Sequence, residues 1–392
     1  MPADGLSPHL RFPEFRHAGP WKVKRLEELV TTITPPKKLQ TTEYQQSGQF
    51  PIIDQSPKDI CGWTDDESAL VDADFPVVVF GDHSCVVKLA ESSFAQGADG
   101  IKILAPADDI DGRFLFLSLE ANPVEQKGYN RHFSDLKEKL IPFPLKASGE
   151  QQKIADCLSS LDDLIRAEGA RLGALKDHKR ALMQRLFPRP GETTPRLRFP
   201  EFRKAGPWEV KRLGEVCEIN PTGADLPERF VYIDLESVEA GELVHRKIIS
   251  REGAPSRAQR VLSPGDIVFQ MVRPYQKNNL LFSLKDGEHY VASTGYAQLR
   301  AYGSAEFLFQ LIHTDPYVAA VLEKCTGSNY PAINSSDLSE IHVHVPSLAE
   351  QQKIAECLTA LDDLIRTQGA RLEAHKAHKR GLMQQLFPQD IG

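Results

Sequence analysis

Two stretches of the chain repeat apolar residues at alternating spacings of four and three. In the first stretch these residues are Ile154, Leu158, Leu161, Ile165, Leu172, Leu175, Leu182 and Leu186. Such a seam predicts a helix that packs along another helix, as in a coiled coil. Glu168 and Lys179 interrupt the first seam; Gln368, His375 and Lys379 interrupt the second. About 38 residues at 1.5 Å each predict a rod of roughly 57 Å.

Both predicted helices have marked ends. Prolines, which helix interiors do not tolerate, flank them: Pro142, Pro144 and Pro188 around the first, Pro346 and Pro388 around the second. Ser347-x-x-Glu350 predicts a capping box at the start of the second helix, and Ser148-x-x-Gln151 predicts its counterpart in the first.

The stretches before these helices predict mixed α/β modules. β-rich runs predict strands at residues 75–81, 101–104, 229–235 and 267–272, and helical patterns occur at 111–120 and 304–313. Turn signals stand at 81–83 and 263–266. Ser-Asp-Leu at 134–136 and again at 336–338 precedes each long helix, which favours a shared module fold beneath diverged sequence.

The chain contains an internal sequence repeat. Residues 10–26 return as 197–213 with two changes in 17 positions, and residues 150–188 return as 350–388 with 29 of 39 identical. A duplicated unit that pairs with its copy favours an antiparallel, pseudo-two-fold arrangement, in which the helices would hold the modules apart. The C-terminal helix should then lie beside the N-terminal RFPEF segment, with both termini close in space. Function should lie in the variable modules.

Charge restricts the function of these modules. The net charge is −7, and residues 27–149 carry 11 Lys and Arg against 20 Asp and Glu, while residues 214–349 carry 11 against 17. This argues against a general polyanion binder with a strongly basic surface. Any nucleic-acid contact must therefore use local patches or a partner's charge.

The cysteines and the apolar runs argue against three further classes: disulfide-bonded, zinc-binding and membrane-spanning proteins. The scattered cysteines favour neither a disulfide framework nor a zinc site: Cys61, Cys85, Cys157, Cys217, Cys325 and Cys357. Apolar runs are far shorter than the roughly 20 residues that a bilayer requires, and the N-terminus has no apolar signal core. The expected localisation is cytoplasmic.

Several motifs together make the chain resemble the specificity subunit of a type I restriction-modification system. They are GPW-x-V-KRL before each module, EQQKIA and LDDLIR in each long helix, and the segments GDHS (81–84), FAQGADGIKIL (94–104), LSPGDIVFQMVRP (262–274), STGYAQLR (293–300) and GSNYPAINSSDL (327–338). The resemblance covers nearly the whole chain.

The resemblance implies two target-recognition domains, at 1–149 and 197–349, separated by two long antiparallel coiled-coil helices at 150–187 and 350–388, with a linker at 188–196. Each domain would recognise one half of a bipartite, asymmetric DNA target, and the helices would set the gap and dock methyltransferase subunits. The chain itself would be non-catalytic and hold no cofactor. Two methyltransferase and two restriction subunits would use S-adenosylmethionine, ATP and Mg²⁺.

Candidate DNA contacts follow from position and residue type. Residues that could offer hydrogen bonds or stacking to base edges are His83, Ser84, Lys88, Tyr129, Asn130, Arg131, His132, Arg273, Lys277, Asn278, Asn279, Asn329 and Tyr330. A basic stretch of Arg251, Arg257 and Arg260 is better suited to phosphates.

Two other classes of protein are alternatives to this assignment. An enzyme is disfavoured because the sequence has no G-x-x-x-x-G-K-[ST] loop. Asn220-Pro221 and Asp315-Pro316-Tyr317 lack the second proline of an amino-methyltransferase motif, and Asp135-x-x-Glu138-Lys139 is better explained as a module-ending helix than as a nuclease cluster. The remaining alternative is a coiled-coil adaptor without sequence-specific DNA binding.

Overall fold

A computed structural model describes residues 6–98, 100–128, 130–327 and 329–388, which form two compact units. Unit 1 contains the described residues up to Ala170 and from Ala370 onward, and unit 2 runs from Arg171 to Gly369. Each long helix begins in one unit and ends in the other. The predicted mixed α/β class and the internal repeat are confirmed, whereas the exact domain boundaries stay a prediction.

The elements of the first module precede the first long helix. In chain order they are β1 (Lys22–Arg25), β2 (Val30–Ile33), β3 (Phe50–Ile53), β4 (Gly62–Thr64), β5 (Val77–Gly81), β6 (Val87–Ala90), β7 (Ala95–Gln96), β8 (Ile101–Pro106), α1 (Gly112–Ala121), α2 (Phe133–Glu138) and β9 (Leu140–Phe143), followed by the long helix α3 (Glu150–Leu186). The strands and the helix predicted in this module are confirmed.

The second module leads to the second long helix. Its elements are β10 (Glu209–Arg212), α4 (Leu213–Val216), β11 (Cys217–Ile219), β12 (Arg229–Ile233), β13 (Val238–Glu239), β14 (Glu242–Leu243), β15 (Lys247–Ser250), β16 (Ala258–Val261), β17 (Ile267–Gln270), β18 (Leu280–Leu281), β19 (Tyr290–Ser293), β20 (Tyr296–Ala301), α5 (Ala305–Leu311), α6 (Asp315–Lys324), α7 (Ser335–Ser339) and β21 (His342–Val345), followed by α8 (Leu348–Leu386).

The two modules share one sheet topology although their sequences differ. An antiparallel sheet of order β2-β8-β5-β6 in unit 1 corresponds to β11-β20-β17-β18 in unit 2. A second sheet, β4-β3-β7, corresponds to β15-β12-β19-β16, and each contains one parallel pair, β3 with β7 and β12 with β19. Each module is closed by a two-stranded ribbon, β1-β9 or β10-β21. The shared module fold is confirmed.

Within each unit, half of α3 packs antiparallel to half of α8 at the base of the module. In unit 1, Asp162 pairs with Lys379 at 2.7 Å and Glu168 pairs with Arg371 at 3.0 Å, so the two helices run in opposite directions. In unit 2, Lys179 pairs with Asp362 at 2.5 Å. The lysines that interrupt the seam are therefore matched by aspartates of the facing helix.

A triad of aromatic rings joins each helix end to its module. Trp21, Phe114 and Phe387 lie with ring centroids 5.4 to 6.4 Å apart in unit 1. Trp208, Phe307 and Phe187 repeat the cluster at 5.6 to 6.0 Å in unit 2. Aromatic rings bury large areas, so each triad fixes where a helix meets its module.

The RFPEF segments lie against the ends of the long helices, as predicted. The Leu10 amide donates to the Gln385 carbonyl at 2.9 Å, and the Leu197 amide repeats this contact with Arg185 at 2.9 Å. The N-terminal segment therefore lies beside the end of α8 in unit 1.

The predicted capping boxes form only in part. The Ser347 hydroxyl accepts from the Glu350 amide at 3.4 Å, but the Glu350 carboxylate binds Arg198 instead of the cap. In the first copy, the Gln151 side chain binds the Asp111 amide and two carbonyls of the module. Contacts with the module therefore replace the reciprocal contact of the box.

The arginine of each RFPEF segment forms a buried, two-pronged ion pair. Arg11 binds Glu150 through two hydrogen bonds of 2.7 Å, and Arg198 binds Glu350 at 2.8 and 2.6 Å. Both carboxylates are 1 % exposed. The paired carboxylate raises the pKa of each guanidinium. The pairs anchor the starts of α3 and α8 to the repeated segment.

All six cysteines are free. Across the described ranges, no helix combines the length and apolar character needed to span a membrane. His, Cys, Asp and Glu side chains in the same ranges form no group arranged to hold a metal ion.

Candidate nucleic-acid interface

The connection between β17 and β18 carries several candidates of unit 2, and it is built by two buried amides. Asn279 Oδ1 accepts from the Gln270 amide at 2.8 Å, and Gln270 Oε1 accepts from the Asn278 amide at 3.2 Å. Arg273 and Lys277 flank the turn between them with φ of 55°, in the left-handed region that non-glycine residues rarely adopt. Such strain concentrates at functional sites, where the surroundings enforce it.

Arg273 and Tyr330 are brought together although they are distant in sequence. The Arg273 amide donates to the Pro331 carbonyl at 2.7 Å, which ties this connection to the segment before α7. The guanidinium carbon then lies 4.3 Å from the centre of the Tyr330 ring. Tyr330 is 63 % exposed, and Asn329 beside it is also exposed. The pair offers a cation and an aromatic face to solvent.

The remaining candidates of this connection make contacts within the unit. Lys277 Nζ binds the His313 carbonyl at 2.9 Å and Asp315 at 2.8 Å. Asn278 Oδ1 accepts from the Ala240 amide at 3.3 Å. These side chains therefore already have partners that a DNA contact would have to replace or share.

The three arginines proposed for phosphates lie apart from that loop, on the β12 sheet. Arg251, at the end of β15, is exposed and pairs with Glu228 at 3.3 Å. Arg257 is exposed, and its carbonyl accepts from the Thr294 amide at 2.8 Å. Arg260 in β16 is half-buried; burial lowers its pKa, and its Nε has no hydrogen-bond partner among the described residues.

In unit 1 the connection between β5 and β6 is bound to the segment before α2. Asp82 Oδ1 accepts from the His132 and Phe133 amides at 3.0 and 2.9 Å. His132 Nε2 accepts from the Lys127 amide at 2.9 Å, so its proton lies on Nδ1, which faces the Asp82 carbonyl at 3.2 Å. His132 thereby fixes both loops.

His83 and Asn130 meet across these loops. His83 Nδ1 lies 3.1 Å from the Asn130 carbonyl, and the Gln126 amide donates to the His83 carbonyl at 3.0 Å. Ser84 Oγ accepts from the Val86 amide at 3.3 Å, and Arg131 is exposed. Tyr129, also a candidate, lies outside the described residues.

Lys88 has surroundings that suit a DNA contact poorly. It is 6 % exposed in β6, and its ammonium donates to the carbonyls of Lys58 and of Asp54, the latter at 2.7 Å. Burial lowers its pKa. The side chain fastens the connection between β3 and β4 to the sheet.

Both units therefore place candidates at the same two topological positions. One is the connection that follows β5 or β17, and the other is the segment before α2 or α7. Cys85 has φ of 56° in the first connection, so both contain a non-glycine residue in the left-handed region. Sequence reasoning missed Asp82 and Gln270, whose types and spacing carry no signal before their partners are known, whereas His132, a predicted base contact, is buried and bonds within the unit.

The structure thus contains two copies of one module, and each copy presents two joined loops beside a helix pair. The chain belongs to the family of the type I restriction modification DNA specificity domain, whose model matches residues 19–177 and 206–374. The resemblance predicted from the motifs and the DNA-recognition role are confirmed.

Similar proteins agree with this assignment. The chain is 23 % identical to the type I restriction enzyme MjaVIII specificity subunit of Methanocaldococcus jannaschii, over 97 % of this chain and 94 % of that protein. It is 25 % identical to the EcoDI specificity subunit of Escherichia coli, over 89 and 83 %. The fold resembles the S subunit of a type I restriction-modification system from M. genitalium, with a TM-score of 0.65, 18 % identity, and coverage of 98 and 100 %.

Proposed function

We propose that each unit of this specificity subunit recognises one half of a bipartite, asymmetric DNA target through its two joined loops. The observation that supports this is the recurrence of the same loop pair in both units, with exposed or half-exposed polar groups on each. His83, Asn130 and Arg131 would serve in unit 1, and Arg273, Asn329 and Tyr330 in unit 2.

The chemistry of Arg273 suits a base contact. A guanidinium can bind the O6 and N7 acceptors of guanine through two hydrogen bonds, which is the commonest specific contact in the major groove. Stacking on Tyr330 would hold the guanidinium plane in one orientation, because aromatic rings attract cations over their faces. Arg251 and Arg257, exposed on the neighbouring sheet, would contact phosphates and position the duplex.

The partners and cofactors belong to the same proposal. Two methyltransferase subunits would bind the long helices and add phosphate contacts that an acidic chain lacks, and two restriction subunits would complete the nuclease. S-adenosylmethionine, ATP and Mg²⁺ would be used by those subunits. This chain would supply recognition without catalysis, in the cytoplasm.

Sequencing of DNA base modification tests the proposal directly. Cells carrying the cognate methyltransferase, with and without this chain, should show methyl-adenine in a split motif only when the chain is present. Exchange of residues 27–149 for the module of a relative should change one half-target and leave the other unchanged. Altered recognition of both halves would refute one module per half-target; no motif from a verified complex would favour an adaptor.

Arg273→Ala provides the residue-level test. It should relax the preference at one base of one half-target, with a cost of about 1–3 kcal/mol for the preferred base. Arg203→Ala is the control, since Arg203 is an exposed arginine of the repeated segment. Equal weakening across all sequences would assign Arg273 to phosphate binding instead.

A further inference from the structure

Unit 2 contains a cationic cavity that the proposed base contacts do not use. Its volume is about 430 Å³, within the range of about 300–1,000 Å³ typical of ligand sites. The end of α3 forms one wall and the start of α6 the other. Its charged lining residues are Lys176, Lys179, Arg180, Arg189, Lys277 and Asp315. Five cations thus face one carboxylate.

Ion pairs neutralise only some of the cations that line the cavity. Lys179 binds Asp362, Arg180 binds Asp177 at 2.9 Å, and Lys277 binds Asp315. Lys176 and Arg189 remain as further cations on the exposed surface of the same wall. The cavity therefore has a positive excess even when all three of these ion pairs are formed.

The repeat supplies an internal comparison. In unit 1, Lys379 at the position of Lys179 binds two carboxylates, Asp162 at 2.7 Å and Glu120 at 3.2 Å. The Phe-Leu-Phe runs of α1 and α5 align Glu120 with His313. Unit 1 thus supplies its lysine with a second, built-in anion, where unit 2 has a histidine.

His313 cannot replace that anion. Its Nδ1 lies 2.6 Å from the Phe309 carbonyl and its Nε2 lies 3.3 Å from the Asn279 amide, so both nitrogens of the neutral ring are used. Burial lowers the pKa of His313 to about 4, and the nearby ammonium groups of Lys179 and Lys277 act in the same direction. The ring is neutral at pH 7 and leaves the cationic cavity without the carboxylate that unit 1 has.

We propose that this cavity binds a phosphate group, which takes the electrostatic role that Glu120 has in unit 1. Phosphate suits the lining because arginine and lysine donors make strong, charge-assisted hydrogen bonds to its oxygens. The group comes either from a free phosphorylated ligand or from the backbone of bound DNA. Lys277 belongs both to this wall and to the loop of Arg273, so a duplex contacted by Arg273 passes near the cavity. Only this second source rests on the proposed function.

Calorimetric titration of the full chain with pyrophosphate tests for a free ligand. The test variant is the double substitution Lys176→Ala, Arg180→Ala, and the matched control is Lys376→Ala, Arg380→Ala at the equivalent positions of α8. The first should weaken pyrophosphate binding about tenfold or more, while the control should leave it within about twofold. His313→Glu, which places a carboxylate at the position of Glu120, should also weaken it; circular dichroism verifies folding.

A second titration, with a target duplex and the methyltransferase complex, identifies the source. If DNA supplies the phosphate, the test variant should lower the slope of log affinity against log salt by about 0.9 for each DNA phosphate that it no longer neutralises, and the control should not. Loss of pyrophosphate binding with an unchanged slope indicates a free ligand. If neither titration separates the variant from its control, the proposal is wrong. Failure of the native complex to bind DNA would overturn the proposed function, but the pyrophosphate titration would still test whether the cavity binds phosphate.

Discussion

Replacing Arg198 with alanine should leave the Glu350 carboxylate buried without its counter-charge. The carboxylate is 1 % exposed and accepts two hydrogen bonds from Arg198, whose guanidinium also donates to the Ala205 and Gly206 carbonyls at 2.7 and 3.0 Å. Removal of one partner of such a pair costs about 3–5 kcal/mol, because the other charge stays buried. We expect unit 2 to lose this much free energy of unfolding.

The repeat predicts a smaller loss in unit 1. There the Trp21 indole also donates to Glu150, at 3.4 Å, so Arg11→Ala leaves the carboxylate one donor. The equivalent Trp208 indole nitrogen has no partner among the described residues. Arg198→Ala should therefore destabilise its unit more than Arg11→Ala does.

Urea unfolding followed by tryptophan fluorescence and by hydrogen exchange would measure both losses. Hydrogen exchange assigns each loss to its unit, which matters because a two-unit chain need not unfold in one step. Arg203→Ala, in the same repeated segment but exposed, serves as the control. The loss should persist in about 1 M salt, since buried pairs are screened weakly. A loss below about 1 kcal/mol, equal to the control, would refute the anchoring role of the pair.

Three further outcomes are expected. Burial lowers the pKa of His313 from 6.5 to about 4 in the folded chain, so the unfolded chain binds more protons between these two values. The contribution of the neutral ring to the free energy of unfolding, about 3 kcal/mol, is therefore complete above pH 6.5 and is lost as the pH falls to about 4. The stability difference between the native chain and His313→Gln should shrink over that window; a constant difference would contradict a buried neutral ring. Lys88→Met should lower the free energy of unfolding, measured with urea, by about 1–3 kcal/mol, because two backbone carbonyls lose their hydrogen-bond donor. Loss of DNA affinity without loss of stability would instead favour a direct contact between Lys88 and DNA. Deletion of residues 172–178 together with 372–378 should shorten the target gap by about three base pairs, since one heptad spans roughly 10 Å; an unchanged gap in modification sequencing would exclude the helices as the spacer.

The long-range features of the fold could be predicted because they follow from local patterns. Heptads and flanking prolines located α3 and α8, and duplication predicted that the RFPEF segment of the N-terminus meets the end of α8. The partners of polar residues could not be predicted in this way. Lys179 reads only as an interruption of a seam until Asp362 is seen opposite, and their 183-residue separation gives no local signal.

The candidate site was less predictable for the same reason. Arg273 and Tyr330 meet through a backbone contact between two loops, which no periodicity encodes. Lys88 lies in a four-residue strand where alternation suggests an exposed face, but a neighbouring connection covers that face. Residue type indicates candidate loops, whereas burial decides which of their side chains are exposed to a ligand.

The contact between Leu10 and Gln385 joins two segments of unit 1 that no linker connects directly. In unit 2 the same contact, Leu197 with Arg185, joins segments connected through residues 188–196. A circular permutant opened in that linker, with a short peptide joining the original ends, would keep every element in its unit. A covalent link at either of these two places is therefore compatible with the same fold, and a permutant would allow the two modules to be synthesised in the reverse order.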